Sequence, residues 1–344
     1  MAGEYRFSFG PWNIHEGADP FGPPVRPSIE FGKKLGTYRE LGFEGVQFHD
    51  DDAVPNVDGK AAAAVEQEAK ELKKVLDDQG LVPEFVAPRL WEDPRGVDGG
   101  FTANSPEVRQ WAIDRTKRAI DIASALGTRL IVLWLAREGT YIREAKNAMQ
   151  AYQWQIDALN ALLQHNPDME FAIEPKPNEP MDQAYVPTIG HALAIAHQTV
   201  DPARVGGLIE TAHAKLAGLD AADEMGFALA MGKLWSVHLN DQNGLKFDQD
   251  KSFGTVDLRN AYNQVRMLEL ANYPDSGRFI GLDVKAMRTQ KPEVATKHLS
   301  NSKAIFLKLV DKVRSFPADV ERQCIENRDY EQLEMAVVSH LLGT

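Results

Sequence analysis

At 344 residues the chain exceeds a typical single domain but suits an α/β barrel with extensions, and 43% hydrophobic with 26% charged residues allows a large core. A formal net charge of −12 argues against a phosphate-backbone partner, because nucleic-acid binding rests on neutralisation by Lys and Arg. The single cysteine, Cys324, excludes an internal disulfide and a multi-cysteine metal site, and reads as an incidental buried or helical thiol.

The N-terminal Met-Ala-Gly-Glu-Tyr-Arg has no apolar signal core, and no run reaches transmembrane length. The expectation is a cytoplasmic protein with neither a membrane nor a nucleic acid as partner. Along the chain, short apolar runs at 7–10, 45–49, 82–87, 129–134, 170–174, 206–210, 234–239 and 279–283 predict strands. Helical patterns fall between and after them, at about 30–41, 60–79, 105–126, 145–164, 189–200, 221–231, 257–271 and 291–315. The 61–79 stretch sets Ala, Val and Leu on one stripe and Glu, Lys and Asp opposite, while Ser105-Pro106-Glu107 supplies a helix start. Eight strands alternating with eight helices predict a parallel sheet with helices outside, and eight is the number that closes a barrel. No Gly-x-Gly-x-x-Gly turn follows an early strand, which weighs against an open doubly wound sheet. The expected architecture is a (β/α)₈ TIM barrel over 1–315 with a short C-terminal helical extension over 316–344.

In such a barrel the active site lies at the carboxyl ends of the strands. The second predicted strand runs into His49-Asp50-Asp51-Asp52. The fifth ends at Glu174 and enters a loop with three prolines in seven residues, Glu174-Pro175-Lys176-Pro177-Asn178-Glu179-Pro180, which is too stiff for helix or strand. The sixth gives Glu210 with His213 behind it, the seventh His238 with Asp248 and Asp250 in the following loop, and the eighth Asp283 and Lys285. Five carboxylates and two imidazoles at one mouth would repel and raise one another's pKa values unless cations neutralised them. Oxygen-rich ligands with one or two imidazoles suit Mg²⁺, Mn²⁺ or Co²⁺. Seven ligands exceed one coordination sphere, so two divalent ions sharing a carboxylate are expected.

Taken together, the motifs resemble those of xylose isomerases. Phe9-Gly10-Pro11-Trp12, Asp19-Pro20-Phe21-Gly22, Phe48 to Asp52, Gly99-Gly100-Phe101-Thr102, Trp134 with Arg137-Glu138-Gly139, Glu174 to Pro180, Glu210-Thr211-Ala212-His213, Leu239 to Gly244, Phe247 to Asp250 and Arg288-Thr289 occur in that family's order. The resemblance spans about 5–315 and implies an aldose–ketose isomerase working by a C1–C2 hydride shift with two divalent metals. It assigns Glu174, Glu210, His238 and Asp283 to the substrate-side metal, with Glu210 bridging to a second held by His213, Asp248 and Asp250. His49, oriented by Asp52, would assist ring opening as an acid–base group, and Lys176 would hydrogen-bond the carbonyl oxygen at C1. Trp12 and Trp134 would wall the pocket, and Phe21 would complete the pocket of a neighbouring subunit. Glu179 would support Lys176 or a metal-bound group from behind. Asp50 and Asp51 read as loop charges, and the remaining histidines as surface or packing residues without partners.

This sequence departs from the family's pattern at several positions. His238 stands where xylose isomerases have an aspartate, which removes one negative charge and tilts the site towards Mn²⁺ or Co²⁺; the arrangement is similar to that of rhamnose isomerases. Val86-Ala87-Pro88, Trp91 and Leu208 replace polar or smaller wall residues, which leaves open which sugar is the substrate. A C-terminal tail shorter than the family's embracing arm still reads as helical over 320–342, and a homo-oligomer is expected, tetramer before dimer. The alternatives are a ketose epimerase, a rhamnose-isomerase-like enzyme, a metal-dependent endonuclease, and a sugar-binding barrel without turnover.

Overall fold

The computed structural model describes residues 4–245 and 247–343. Eight parallel strands close into a barrel in sequential order: β1 (Phe7–Phe9), β2 (Gly45–His49), β3 (Val82–Ala87), β4 (Leu130–Trp134), β5 (Glu170–Glu174), β6 (Val205–Glu210), β7 (Leu234–Leu239) and β8 (Ile280–Leu282). Closure comes from β8 pairing with β1, Ile280 opposite Phe7 and Leu282 opposite Phe9. Helices α1 (Phe31–Leu41), α2 (Ala62–Gln79), α3 (Pro106–Leu126), α4 (Ala148–His165), α5 (Ile189–His197), α6 (Ala221–Ala230), α7 (Leu258–Leu270) and α8 (Lys297–Ser315) surround it. The fold is the expected TIM barrel, with most boundaries within two or three residues of those predicted. The largest shift is at α8, where Pro292–Val294 forms a separate 3₁₀ turn ahead of the helix.

The strands read as near-continuous apolar runs because a parallel sheet is covered on both faces. Outward side chains such as Val46, Ile131, Ile173 and Val237 pack against the helices, where Leu76, Ile120, Leu162 and Leu268 are buried. Inside the barrel a smaller cluster of Phe85, Val132, Ala172, Leu208 and Trp235 meets Trp12. This interior also holds a charge that no sequence signal announced. Glu84 is buried with Ser8, Gln47 and Ser236 around it; Gln47 Nε2 donates to it at 3.1 Å and Ser236 Oγ at 2.8 Å. Three donors directed at one carboxylate make its burial tolerable. The expected cap of α3 is present, Ser105 Oγ accepting from Val108 N with Pro106 in the first turn.

The C-terminal extension comprises two helices, α9 (Ala318–Asn327) and α10 (Tyr330–Leu342), separated at Arg328, whose φ of +55° ends the first. Both pack on their own barrel: Arg266 pairs with Glu321 and Arg259 with Glu334, each at 2.6 Å, and His340 Nε2 meets the Lys312 carbonyl at 2.8 Å. Cys324 is buried in α9. No helix among the described residues is long and apolar enough to cross a membrane.

Candidate active site

Strand ends and the turns after them deliver the ionisable groups to one mouth. Glu174, Glu210 and His238 are the last or next-to-last residues of β5, β6 and β7, and a short helical turn over Thr211–Leu216 brings His213 back over Glu210. The loop after β7 supplies Asp248 and Asp250, the latter at φ +44°, a left-handed conformation that aspartate tolerates better than most residues. Asp283 follows β8. All seven predicted ligands line one cavity of about 410 Å³ together with Lys176, His49, Trp12, Trp91 and Trp134. That volume suits a monosaccharide-sized guest.

Glu210 is the centre of the cluster. Its carboxylate belongs to each of three groups of donor atoms lying within 4.8 Å of one another: with Glu174 and His213, with His238 and Asp283, and with Asp248 and Asp250. His213 Nε2 lies 3.3 Å from Glu210 and 3.1 Å from Asp248, and His238 Nδ1 lies 3.2 Å from Glu174. Burial, aided by the Asp248 and Asp283 charges, lifts Glu210 to about 8. Burial pushes Glu174 the same way, but His238 beside it outweighs that and holds the carboxyl down to about 2. Asn240 ties the cluster together, donating from Nδ2 to Glu210 at 2.8 Å, the Asp283 carbonyl at 3.0 Å and Asp250 at 3.3 Å. His213 Nδ1, His238 Nε2 and Asp248 Oδ1 are buried without a hydrogen-bond partner. Buried polar atoms in that condition are costly, and these lie among hard oxygen donors and imidazoles, so the residues fit divalent cations in number and chemistry.

The proline-rich loop holds Lys176 almost fully buried. Its Nζ lies 2.8 Å from Asp248 Oδ2, 3.4 Å from Glu179 Oε2 and 5.3 Å from the centre of the Trp134 ring. Burial alone would lower its pKa, but Asp248 and Glu179 raise it, so the lysine stays a cationic donor. Glu179 also accepts from Asp248 N at 3.0 Å, which is the supporting position expected for it.

Opposite stands His49, whose ring lies between Trp12 at 4.2 Å and Trp91 at 5.2 Å; Trp91 in turn meets Trp134 edge-on at 4.5 Å. Gly10 permits the Trp12 pose, since a Cβ there would collide with the indole. Trp12 Nε1 donates to Asp283 Oδ1 at 3.0 Å. His49 Nδ1 lies 3.0 Å from Asp52 as expected, but Arg89, which no sequence motif singled out, also reaches that nitrogen. Burial would raise Asp52, yet its bond to His49 and the charges of His49 and Arg89 bring it down to about 2.

Several expectations need correction. Asp50 is not a loop charge: it is fully buried, accepts from Arg115 Nη2 at 3.0 Å and receives Arg89 N at 3.1 Å. Asp51 pairs with Arg89 Nε at 2.9 Å. The available signal was Arg115, a charge interrupting the buried stripe of α3 between Ala112 and Ala119. Several of the other histidines do have partners, among them His165 with Asp121 at 2.9 Å and His298 with the Asn13 carbonyl at 2.8 Å. Glu138 joins two motifs that stand apart in the sequence. Its carboxylate accepts the backbone N–H groups of Gly100, Phe101 and Thr102 at 2.8–2.9 Å. Phe21, expected in the pocket of a neighbouring subunit rather than its own, is 80% exposed on this chain, and its ring meets Phe247 at 5.4 Å.

Fold and site together define a TIM-barrel enzyme with an acidic, metal-competent mouth. The model of the xylose isomerase-like TIM barrel family matches residues 36–297, and the chain belongs to that family. It is 35% identical over 323 residues to a xylose isomerase of Thermus thermophilus, covering 92% of this chain and 82% of that one. Among solved structures it is similar to an L-ribulose 3-epimerase (TM-score 0.66, 14% identity, 90% of this chain and 96% of that one). It is also similar to a xylose isomerase domain protein of Alicyclobacillus acidocaldarius subsp. acidocaldarius (TM-score 0.61, 16% identity, 91% and 100%). The Thermus relative is a sugar isomerase, and the structural likenesses at these identities speak for the fold alone.

Proposed function

We propose that this chain is a cytoplasmic aldose–ketose isomerase that interconverts an aldose such as D-xylose or D-glucose, or a related sugar, with its ketose by moving a hydride between C1 and C2. The observation that carries the reading is one cavity holding seven metal-competent side chains centred on Glu210, a buried cationic lysine and a histidine flanked by indoles. Glu174, Glu210, His238 and Asp283 would hold one divalent ion, and Glu210, His213, Asp248 and Asp250 a second, of the Mg²⁺, Mn²⁺ or Co²⁺ type. When bound, such ions supply Lewis-acid polarisation of the sugar's oxygens.

The protein's own groups do the rest. His49, with Asp52 and Arg89 on its Nδ1, takes or gives the proton that ring opening requires. Lys176 donates a charge-assisted hydrogen bond to the carbonyl oxygen at C1, where negative charge grows as hydride moves. Trp12, Trp91 and Trp134 orient the carbon chain and exclude water, which favours an internal hydride shift over exchange with solvent. Phe21 reaches the pocket of a neighbouring subunit in a homo-oligomer, tetramer or dimer, and the C-terminal arm meets that neighbour through residues such as Met335 and Leu342, which are exposed on one chain.

A screen of aldoses and ketoses with each of the three metals, followed by reaction in deuterated water, tests the reading. A ketose product free of carbon-bound deuterium is expected. Deuterium at C1 or C2 would overturn the hydride shift, and deuterium at C3 of a ketose would identify an epimerase.

A further inference from the structure

A second cavity, of about 340 Å³, opens beside the mouth between the loops that follow β7 and β8 and the start of α8. Its charge is opposite to that of the first. Lys251, Lys285 and Lys297 line it and no carboxylate does, in a chain with 50 acidic against 38 basic residues. Lys285 is engaged by Asp250 at 2.6 Å, but Lys251 and Lys297 have no ion pair among the described residues. Behind the lining, Arg26 is buried and donates to the carbonyls of Ala286, Met287 and Gln290 at 2.9–3.1 Å, which fixes the loop after β8.

An independent observation comes from His298, which lines the cavity and is only 7% exposed. Its Nε2 faces the Asn13 carbonyl at 2.8 Å, and a carbonyl only accepts, so Nε2 carries the proton. Burial, with help from Arg26 and His15, keeps the ring neutral. Its Nδ1 is therefore a lone-pair acceptor, and it is buried without a partner. The site thus asks for a ligand with two properties: negative charge for the lysines and a hydroxyl to donate to Nδ1. Sulfate lacks the hydroxyl at neutral pH, and a bare carboxylate lacks it too.

We propose that this cavity binds a phosphate group, as free hydrogen phosphate or as the phosphate of a small hydroxylated monoester, with Lys251 and Lys297 on the charge and a ligand hydroxyl donating to His298 Nδ1. Loops after the seventh and eighth strands are a recurrent phosphate-binding location on this fold, and lysine serves such sites as a point charge.

Titration calorimetry at pH 6.5 and constant ionic strength, on the metal-loaded protein, is the test. The probes are inorganic phosphate, fructose 6-phosphate and sulfate. The expected result is saturable binding of one phosphate probe per chain, at least tenfold tighter than sulfate, and weakened at least tenfold in Lys251→Gln/Lys297→Gln. Tighter binding of fructose 6-phosphate than of inorganic phosphate assigns the cavity to a monoester, and the reverse order assigns it to free phosphate. Equal affinity for phosphate and sulfate overturns the proposal. So does undiminished binding in the double variant, which would place the anion at the acidic mouth instead, or no saturable binding at all. Both lysines are at least partly exposed, so the variant leaves the core untouched.

Discussion

Arg89 Nη2 lies 2.7 Å from Nδ1 of His49, the same nitrogen that faces Asp52 at 3.0 Å. An arginine only donates and an ionised carboxylate only accepts, so the two neighbours select opposite tautomers of the imidazole. With Asp52 as partner Nδ1 holds the proton and Nε2 is the base; with Arg89 as partner Nε2 holds the proton and is the acid. Ring opening needs both kinds of transfer in turn. Arg89→Met should leave Nδ1 to Asp52 alone and lower kcat/KM about tenfold, with a lower melting temperature because Asp51 and Asp52 lose their ion-pair partner. Nitrogen-15 spectra of the His49 ring should show Nδ1 protonated in the variant. A ring spectrum and rate both identical to wild type would show that Arg89 only anchors Asp51 and Asp52.

Lys176→Met should fold and bind two metals yet lose about 10²–10³ in kcat, the usual loss for one donor at a developing oxyanion. Metal content by equilibrium dialysis separates this from a collapsed site, since Lys176 also lies 2.8 Å from Asp248. Activity near wild type would refute the role at C1.

His238→Asp replaces a neutral ligand type with an anionic one beside Glu174 and Glu210. Calorimetric titration should show Mg²⁺ gaining affinity relative to Mn²⁺ and Co²⁺. An unchanged order of metals would mean that this position does not set the preference.

His298 makes folding sensitive to acid. Burial depresses it to about 4 in the folded state, while the unfolded value is near 6.5. Between those values the unfolded chain binds more protons, so the neutral ring's contribution is fully present above pH 6.5 and is lost as pH falls towards 4. From pH 7.5 to 5 the wild type should lose about 2 kcal/mol through this group, and His298→Gln should show a correspondingly flatter profile in urea unfolding. Parallel profiles would assign the acid sensitivity elsewhere.

Glu138 is structural on this geometry. Glu138→Ala would strand three buried backbone donors and the Thr102 hydroxyl, a cost of about 3 kcal/mol by denaturant titration. A loss below about 1 kcal/mol would mean that water replaces the carboxylate without penalty.

Local patterns in the residues were enough to read the barrel and the end of it at which the ionisable groups gather. Strand runs and helix stripes are local patterns, and in a parallel barrel every strand delivers its last residues to the same end, so Glu174, Glu210, His238 and Asp283 are legible as one cluster from the residues alone. The proline-rich loop announced Lys176 for the same reason, because its stiffness is written in consecutive residues. What those groups touch from outside their own segment is set by long-range packing. Arg89 reaching His49, Asp50 buried against Arg115, Glu84 held inside the barrel by Ser8, Gln47 and Ser236, and Lys251 sharing a cavity with His298 each join residues about forty or more positions apart. A hydrogen bond or an ion pair has no period along the chain, and its existence depends on ångström distances set by packing. That is why the metal-competent mouth could be read from the residues, while the second partner of His49 and the basic cavity beside it could not.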